Sequence, residues 1–262
     1  MPIARRSLLA AAALAPAIAA HPAWAREFSR GVFTHGIASG DPLTDGFVIW
    51  TRFAHSGDGR IGWEVAEDDA FTRIVKRGEA RASFASDFCA KADVRGLEPG
   101  RRYYYRFLSA SGPSEVGATR TAPAAGAESL TVALFSCANF PYGYFHAYGH
   151  AAAREDIDIA LHVGDYIYEV GRGQYPSTVD AVPGRVIDPV TEIVSLSDYY
   201  QRYACYHTDP DLLALRRAKP ISVVWDDHEL ANDAWRAGAA AHDPLTEGLY
   251  ADRIAAASKA HF

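Results

Sequence analysis

Three short stretches end in side chains that bind cations or move protons: Ser136-Cys137-Ala138-Asn139, Gly164-Asp165-Tyr166-Ile167-Tyr168-Glu169 and Asp226-Asp227-His228-Glu229. Apolar runs precede each of them, Leu130 to Phe135, Ile157 to Val163 and Pro220 to Trp225, and such runs read as buried strands. Open α/β sheets handle their ligands at the carboxyl ends of strands, so acids placed there are candidates for metal or phosphate chemistry. Tyr168 follows Asp165 by three residues, close enough for a turn to aim both side chains at one point. Thiolate, phenolate and carboxylate are all anionic, a donor mix that suits iron(III) better than zinc or magnesium. A carboxylate bridging to a second ion, with Asn232 or Asp227 on that ion, suits calcium. Two ions side by side clamp the attacking and leaving oxygens of a phosphoryl transfer.

Each piece also has a plainer reading. A cysteine at a strand end is commonly a small buried hydrophobe, and an Asp-Asp-His-Glu run is commonly a solvated turn or helix start. His162 lies inside a buried strand and reads as a core residue; His146, His150, His207 and His242 carry no ligand spacing and read as surface or packing residues. A mononuclear iron oxidoreductase would use similar donors, but nothing here matches a 2-His-1-carboxylate set. The coincidence of three parallel strand ends favours the metal cluster.

The elements that must position these residues follow from pattern. Tyr144 to Arg154 reads as a helix, which makes a β-α-β unit with parallel strands and a right-handed crossover. Residues 170–194, rich in Gly and Pro, form a long irregular loop, and loops of that length act as rims or lids. Helices are expected over Leu196–Tyr206, Asp211–Ala218 and Tyr250–Phe262.

Residues 29–124 read as a β-sandwich, from short alternating runs such as Gly46-Phe47-Val48-Ile49-Trp50-Thr51 between Gly, Asp and Pro turns. Leu97-Glu98-Pro99 followed by Tyr103, Tyr105 and Phe107 resembles the tyrosine-corner region of fibronectin type III domains. Residues 1–25 read as an export signal: Arg5-Arg6, an Ala/Leu-rich run and the small-x-small site Ala23-Trp24-Ala25. The paired arginines favour the twin-arginine route over an ordinary secretory start, and the run is short for a membrane span. A periplasmic or extracellular location follows. Net charge is −6, or −8 without the first 25 residues, which gives no surface for nucleic acid. Cys89, Cys137 and Cys205 are too few for a disulfide framework.

Four motifs in order, Gly36-Ile37-Ala38-Ser39-Gly40-Asp41-Pro42 with Val48-Ile49-Trp50-Thr51-Arg52, then the three strand ends above, resemble the PhoD-like (alkaline phosphatase D) family. The resemblance implies twin-arginine export and an immunoglobulin-like amino-terminal domain joined to an α/β metallophosphoesterase core, here residues 128–262. It also implies hydrolysis of phosphomonoesters and phosphodiesters, with lipid, cell-wall or small-molecule esters as substrates. By that resemblance Cys137, Asp165 and Tyr168 bind iron(III), Asp165 bridges to calcium, and Asn232 serves calcium and the substrate phosphate. Asp227 and His228 match the catalytic Asp-Asp-His-Glu motif, and the nucleophile is a metal-held hydroxide or oxide rather than a side chain. Two departures stand out. Family members continue past the equivalent of Phe262 into a Gly-Asp-x-His motif, so the core and its ligand set are incomplete here; a β-sandwich binding module with an inactive core remnant is the alternative. Tyr200 stands where relatives commonly carry Arg.

Overall fold

The computed structural model describes residues 23–55, 57–125 and 129–262. The export signal up to residue 22 and residues 126–128 of the linker between the two domains lie outside them. Alternating burial builds the first half into two facing antiparallel sheets. The strands are β1 (Val32–Leu43), β2 (Gly46–Ala54), β3 (Gly59–Ala66), β4 (Ile74–Ala82), β5 (Cys89–Arg95), β6 (Arg102–Ser109), β7 (Gly112–Pro113) and β8 (Gly117–Arg120). One sheet is ordered β1-β2-β5 and the other β4-β3-β6-β7, with β8 on β6. Phe47, Ile49 and Phe53 point inward from β2 and meet Ile61, Val65, Tyr105 and Phe107 from the other sheet. Full burial of each such side chain stabilises by about 1.5–3 kcal/mol. The expected tyrosine corner is present: the Glu98 N–H donates to the Tyr103 hydroxyl at 3.0 Å. Ala23–Glu27, which spans the expected cleavage site, forms a 3-10 turn packed on this sandwich. Ala25 is buried there, and Trp24 Nε1 donates to Glu64 at 3.2 Å.

After the linker the elements are β9 (Val132–Phe135), α1 (His146–Ala153), β10 (Ile159–Val163), α2 (Leu196–Tyr206), α3 (Pro210–Ala218), β11 (Ile221–Val224) and α4 (Tyr250–His261). The strands form a parallel sheet ordered β11-β10-β9, with His162 opposite Phe135 and Val223. Tyr148 and Ala151 of α1 and Leu212 and Leu215 of α3 share one apolar core with Ala160, Phe135 and Val223. The opposite face is bare among the described residues: Val132, Leu134, Val163 and Val224 are 43–64% exposed. Such a sheet normally carries cover on both faces. His162 is the core residue expected, with Nε2 at 2.9 Å from the Tyr148 hydroxyl. His207 packs its ring against Trp50 and Tyr166.

The sandwich meets the edge of β11. Ser39 of β1 bridges to Pro220 in parallel. A Cβ at Gly40 would lie 2.7 Å from the Ile221 carbonyl oxygen, so only glycine lets the two backbones approach. Arg216 of α3 lies 4.3 Å over the Trp50 ring. Tyr200 donates to the Ala85 carbonyl at 3.3 Å and therefore faces the sandwich. The long loop 170–194 is a fixed rim rather than a loose lid. Arg202, fully buried on α2, donates to the carbonyls of Tyr168, Val170, Pro189 and Thr191. Arg185 at mid-loop pairs with buried Asp209 at 2.8 Å and lies 3.7 Å over the Phe140 ring. No helix of the described residues is long and apolar enough to cross a membrane.

Candidate metal centre

Parallel strands put their carboxyl ends on one edge, and here the loops continue the pairing. The Cys137 N–H donates to the Gly164 carbonyl at 3.2 Å, and the Ala138 N–H to that of Asp165 at 2.8 Å. A Cβ on Gly164 would sit 2.4 Å from Cβ of Asp226, so this glycine lets the ends of β10 and β11 close together. Cys137 and Asp165 both adopt left-handed backbone angles, φ 59° and 55°. That conformation costs a residue with a Cβ roughly 1–2 kcal/mol. Strain of this kind gathers at functional sites, where the surroundings hold it in place.

Two buried glutamates do the holding. Glu229 accepts backbone N–H bonds from Asp226 at 2.6 Å, Asp165 at 3.1 Å, Ile167 at 3.4 Å and also Tyr166. One carboxylate thus ties the turn after β10 to the turn after β11. Burial pushes its carboxyl up from the usual range, and the N–H donors work against that shift. Glu169, equally buried, accepts from His228 Nδ1 at 2.7 Å and from the Asn232 N–H at 2.5 Å. Burial works against a protonated His228, but the hydrogen bond and charge of Glu169, with Asp165 and Asp227, outweigh it and raise the imidazole above its usual range.

Inside this frame, ligand atoms of Asp165, Asp227 and His228 lie within 4.8 Å of one another. The Tyr168 hydroxyl donates to Asp165 Oδ2 at 2.9 Å. Burial, then the adjacent Asp165 charge, pushes the phenol well up, so it keeps its proton unless a cation sits beside it. Asp165 Oδ1 is buried with no hydrogen-bond partner. A buried carboxylate oxygen without a donor is costly, and a cation removes the cost. These residues fit a metal.

Of the residues singled out from sequence, the fold gathers Asp165, Tyr168, Asp227 and His228; Cys137 is tied alongside by its backbone bond to Gly164, exposed, and its thiol lies outside the group of ligand atoms within 4.8 Å of one another. Asn232 stands at the rim: its backbone is held by Glu169, and its side-chain nitrogen donates to Asp233 at 2.9 Å. The Asp-Asp-His-Glu run is also a helix start, a 3-10 turn over Asp227–Glu229 capped by Asp226. What the sequence reading missed is the work of Glu169 and Glu229. Their signal was present, an acid just past each strand end, but a carboxylate that anchors backbone looks the same in sequence as one that binds metal. All three cysteines are free, and burial pushes the Cys89 thiol up to about 11, which leaves it an inert part of β5.

The family model described as PhoD-like phosphatase matches residues 132–262, and that described as PhoD-like phosphatase, N-terminal domain, matches residues 17–123. The alkaline phosphatase D of Bacillus subtilis (strain 168) is 43% identical over 222 residues, 80% of this chain and 37% of that protein. A solved structure described as "Structure of PhoD" has 38% identity and a TM-score of 0.79, covering 87% of this chain and 45% of that one. The chain therefore spans less than half the length of these relatives.

Proposed function

This chain belongs to the PhoD-like phosphatase family, and on that premise we propose that it forms the metal-binding part of an exported phosphoesterase acting on phosphate monoesters and diesters. The observation that carries this reading is the orphaned Asp165 carboxylate oxygen beside Asp227 and His228. Metal bound there would supply the charge that polarises a phosphoryl group and acidifies water. Cys137, Asp165, Tyr168, Asp227 and His228 would hold it, and their anionic chemistry favours iron(III), with calcium beside it. Glu169 fixes His228 through Nδ1, which leaves Nε2 for the metal or for a proton to the leaving group. Asn232, released from Asp233, would reach the phosphate or the second ion. Lipid, cell-wall and small-molecule esters are the substrate classes, and export by the twin-arginine machinery, read from Arg5-Arg6, belongs to the same proposal.

A second reading, a binding module with an inactive core remnant, is favoured by the bare sheet face at Val132, Leu134, Val163 and Val224. One experiment separates the two. The chain is purified, analysed for metal, and assayed on nitrophenyl phosphate and bis-nitrophenyl phosphate with iron and calcium supplied. We expect bound iron with a visible phenolate or thiolate charge-transfer band, both lost in Asp165→Asn, and turnover near background from this chain, which spans less than half the length of its matched relatives. Equal metal content in wild type and Asp165→Asn overturns the metal centre; clear turnover excludes the remnant.

A further inference from the structure

The candidate metal centre is the inner end of a row of aromatic rings that runs out to solvent. The His228 ring lies 4.2 Å from that of Tyr168, Tyr168 lies 5.9 Å from Tyr175, and Tyr175 meets Tyr142 edge-on at 5.3 Å. Exposure changes abruptly along it: Tyr168 is 6% exposed, Tyr175 48% and Tyr142 47%. Two large rings half in water and packed on each other contribute little core burial. Both are held in register with the site. Tyr142 closes a 3-10 turn, Phe140–Tyr142, that follows the strand end bearing Cys137. Buried Asn139, from that same strand end, donates to the Tyr175 carbonyl at 3.4 Å and leaves its own Oδ1 without a partner. Arg202 fixes the other side by holding the carbonyls of Tyr168 and Val170. Tyr175 also forms part of the wall of a cleft of about 280 Å³, with Pro141 and Arg172, roomy enough for one ring.

We infer that Tyr175 and Tyr142 form a stacking subsite for the alcohol part of a phosphate ester carrying a flat ring, aryl or nucleoside. The inference rests on the phosphoesterase reading, because it places the phosphate at Asp165 and the ring one aromatic step away. With the two rings meeting edge to face and the Tyr175 backbone held by Asn139, a planar group can lie on the exposed face of one ring with its edge toward the other, and quadrupole-matched packing then adds to the contact. Aliphatic esters of glycerol type would gain nothing from them.

The test is binding to the metal-supplemented chain, read by equilibrium dialysis and tyrosine fluorescence, with phenylphosphonate and methylphosphonate as probes that cannot be hydrolysed. Phenylphosphonate should bind about fivefold tighter than methylphosphonate. Tyr142→Ala/Tyr175→Ala should abolish that preference while leaving methylphosphonate affinity unchanged, and Tyr175→Phe should retain it. Because both rings are half exposed, these variants should melt like wild type. Equal affinity for the two probes in wild type, or a preference that survives the double substitution, overturns the subsite and leaves the phosphoesterase reading standing. Failure of both probes to bind, with no difference on Asp165→Asn, overturns both.

Discussion

Replacing Arg202 with Met keeps much of the side-chain stem and removes every donor. The guanidinium is 0% exposed and holds Val170, Pro189 and Thr191 carbonyls at 3.1, 2.8 and 3.0 Å, as well as that of Tyr168. It thereby ties both feet of the loop 170–194 to α2. Hydrogen bonds to a charged group contribute about 1.5–3 kcal/mol each, so the gross loss is large. Against it stands the recovered cost of burying a cation, which is several kcal/mol; burial is also what depresses the Arg202 pKa. Carbonyls freed near the rim regain water. The net is roughly 2–4 kcal/mol of destabilisation, within the ~5–15 kcal/mol that a domain has to lose. A chain this long should then melt about 5–12 °C lower. The loss should be local first: amide exchange should accelerate at residues 168–171 and 189–193, and a protease that spares the wild-type loop should cut the variant there. Since Arg202 also holds the Tyr168 backbone, metal affinity at the candidate centre should fall with it. A variant that melts within a degree of wild type and stays uncut would show that Phe140, Asp209 and Arg185 hold the loop without help from α2.

Two further outcomes follow from the fold. Gly40→Ala places a methyl against the Ile221 carbonyl. It should cost roughly 1–3 kcal/mol and split the calorimetric transition into sandwich and core components; Gly57→Ala, with open space around its Cβ, is the control and should be neutral. His162 contributes an acid-side slope: burial lowers its pKa from the usual 6.5 to about 4. The unfolded chain takes up this proton near 6.5 and the folded chain does not until about 4. Stability from this group is therefore full above pH 6.5, falls as pH drops through that window, and is flat below it. At about 1.4 kcal/mol per unit, the whole effect is on the order of 3 kcal/mol. Urea midpoints at pH 7 and 4.5 should differ less in His162→Phe than in wild type, and an unchanged difference would refute the assignment.

Much of this protein was legible in its chain. Period-two alternation at Phe47, Ile49 and Phe53 and the Leu97-Glu98-Pro99 turn determined a sandwich with a tyrosine corner, because strand periodicity and turn chemistry are local. The helices came out close to their observed bounds, since Ser195 and Asp209 are local caps and α3 opens with Pro210. The three strand ends marked the site, because parallel topology sends them to one edge whatever the packing. Other assignments needed the folded coordinates. Gly40 served only as part of a motif until the Ile221 carbonyl was seen against it. Asp165, Glu169 and Glu229 share one chemistry in sequence. Backbone N–H groups close on Glu229, His228 and the Asn232 N–H close on Glu169, and Asp165 is left with an empty oxygen. Arg185 and Arg202 carried no signal in the sequence, yet they make the loop a rim. Each of these roles depends on which partner a side chain meets across tens of residues of chain, and no local pattern encodes that partner; burial and hydrogen-bond completion decide it only once the strands are in register.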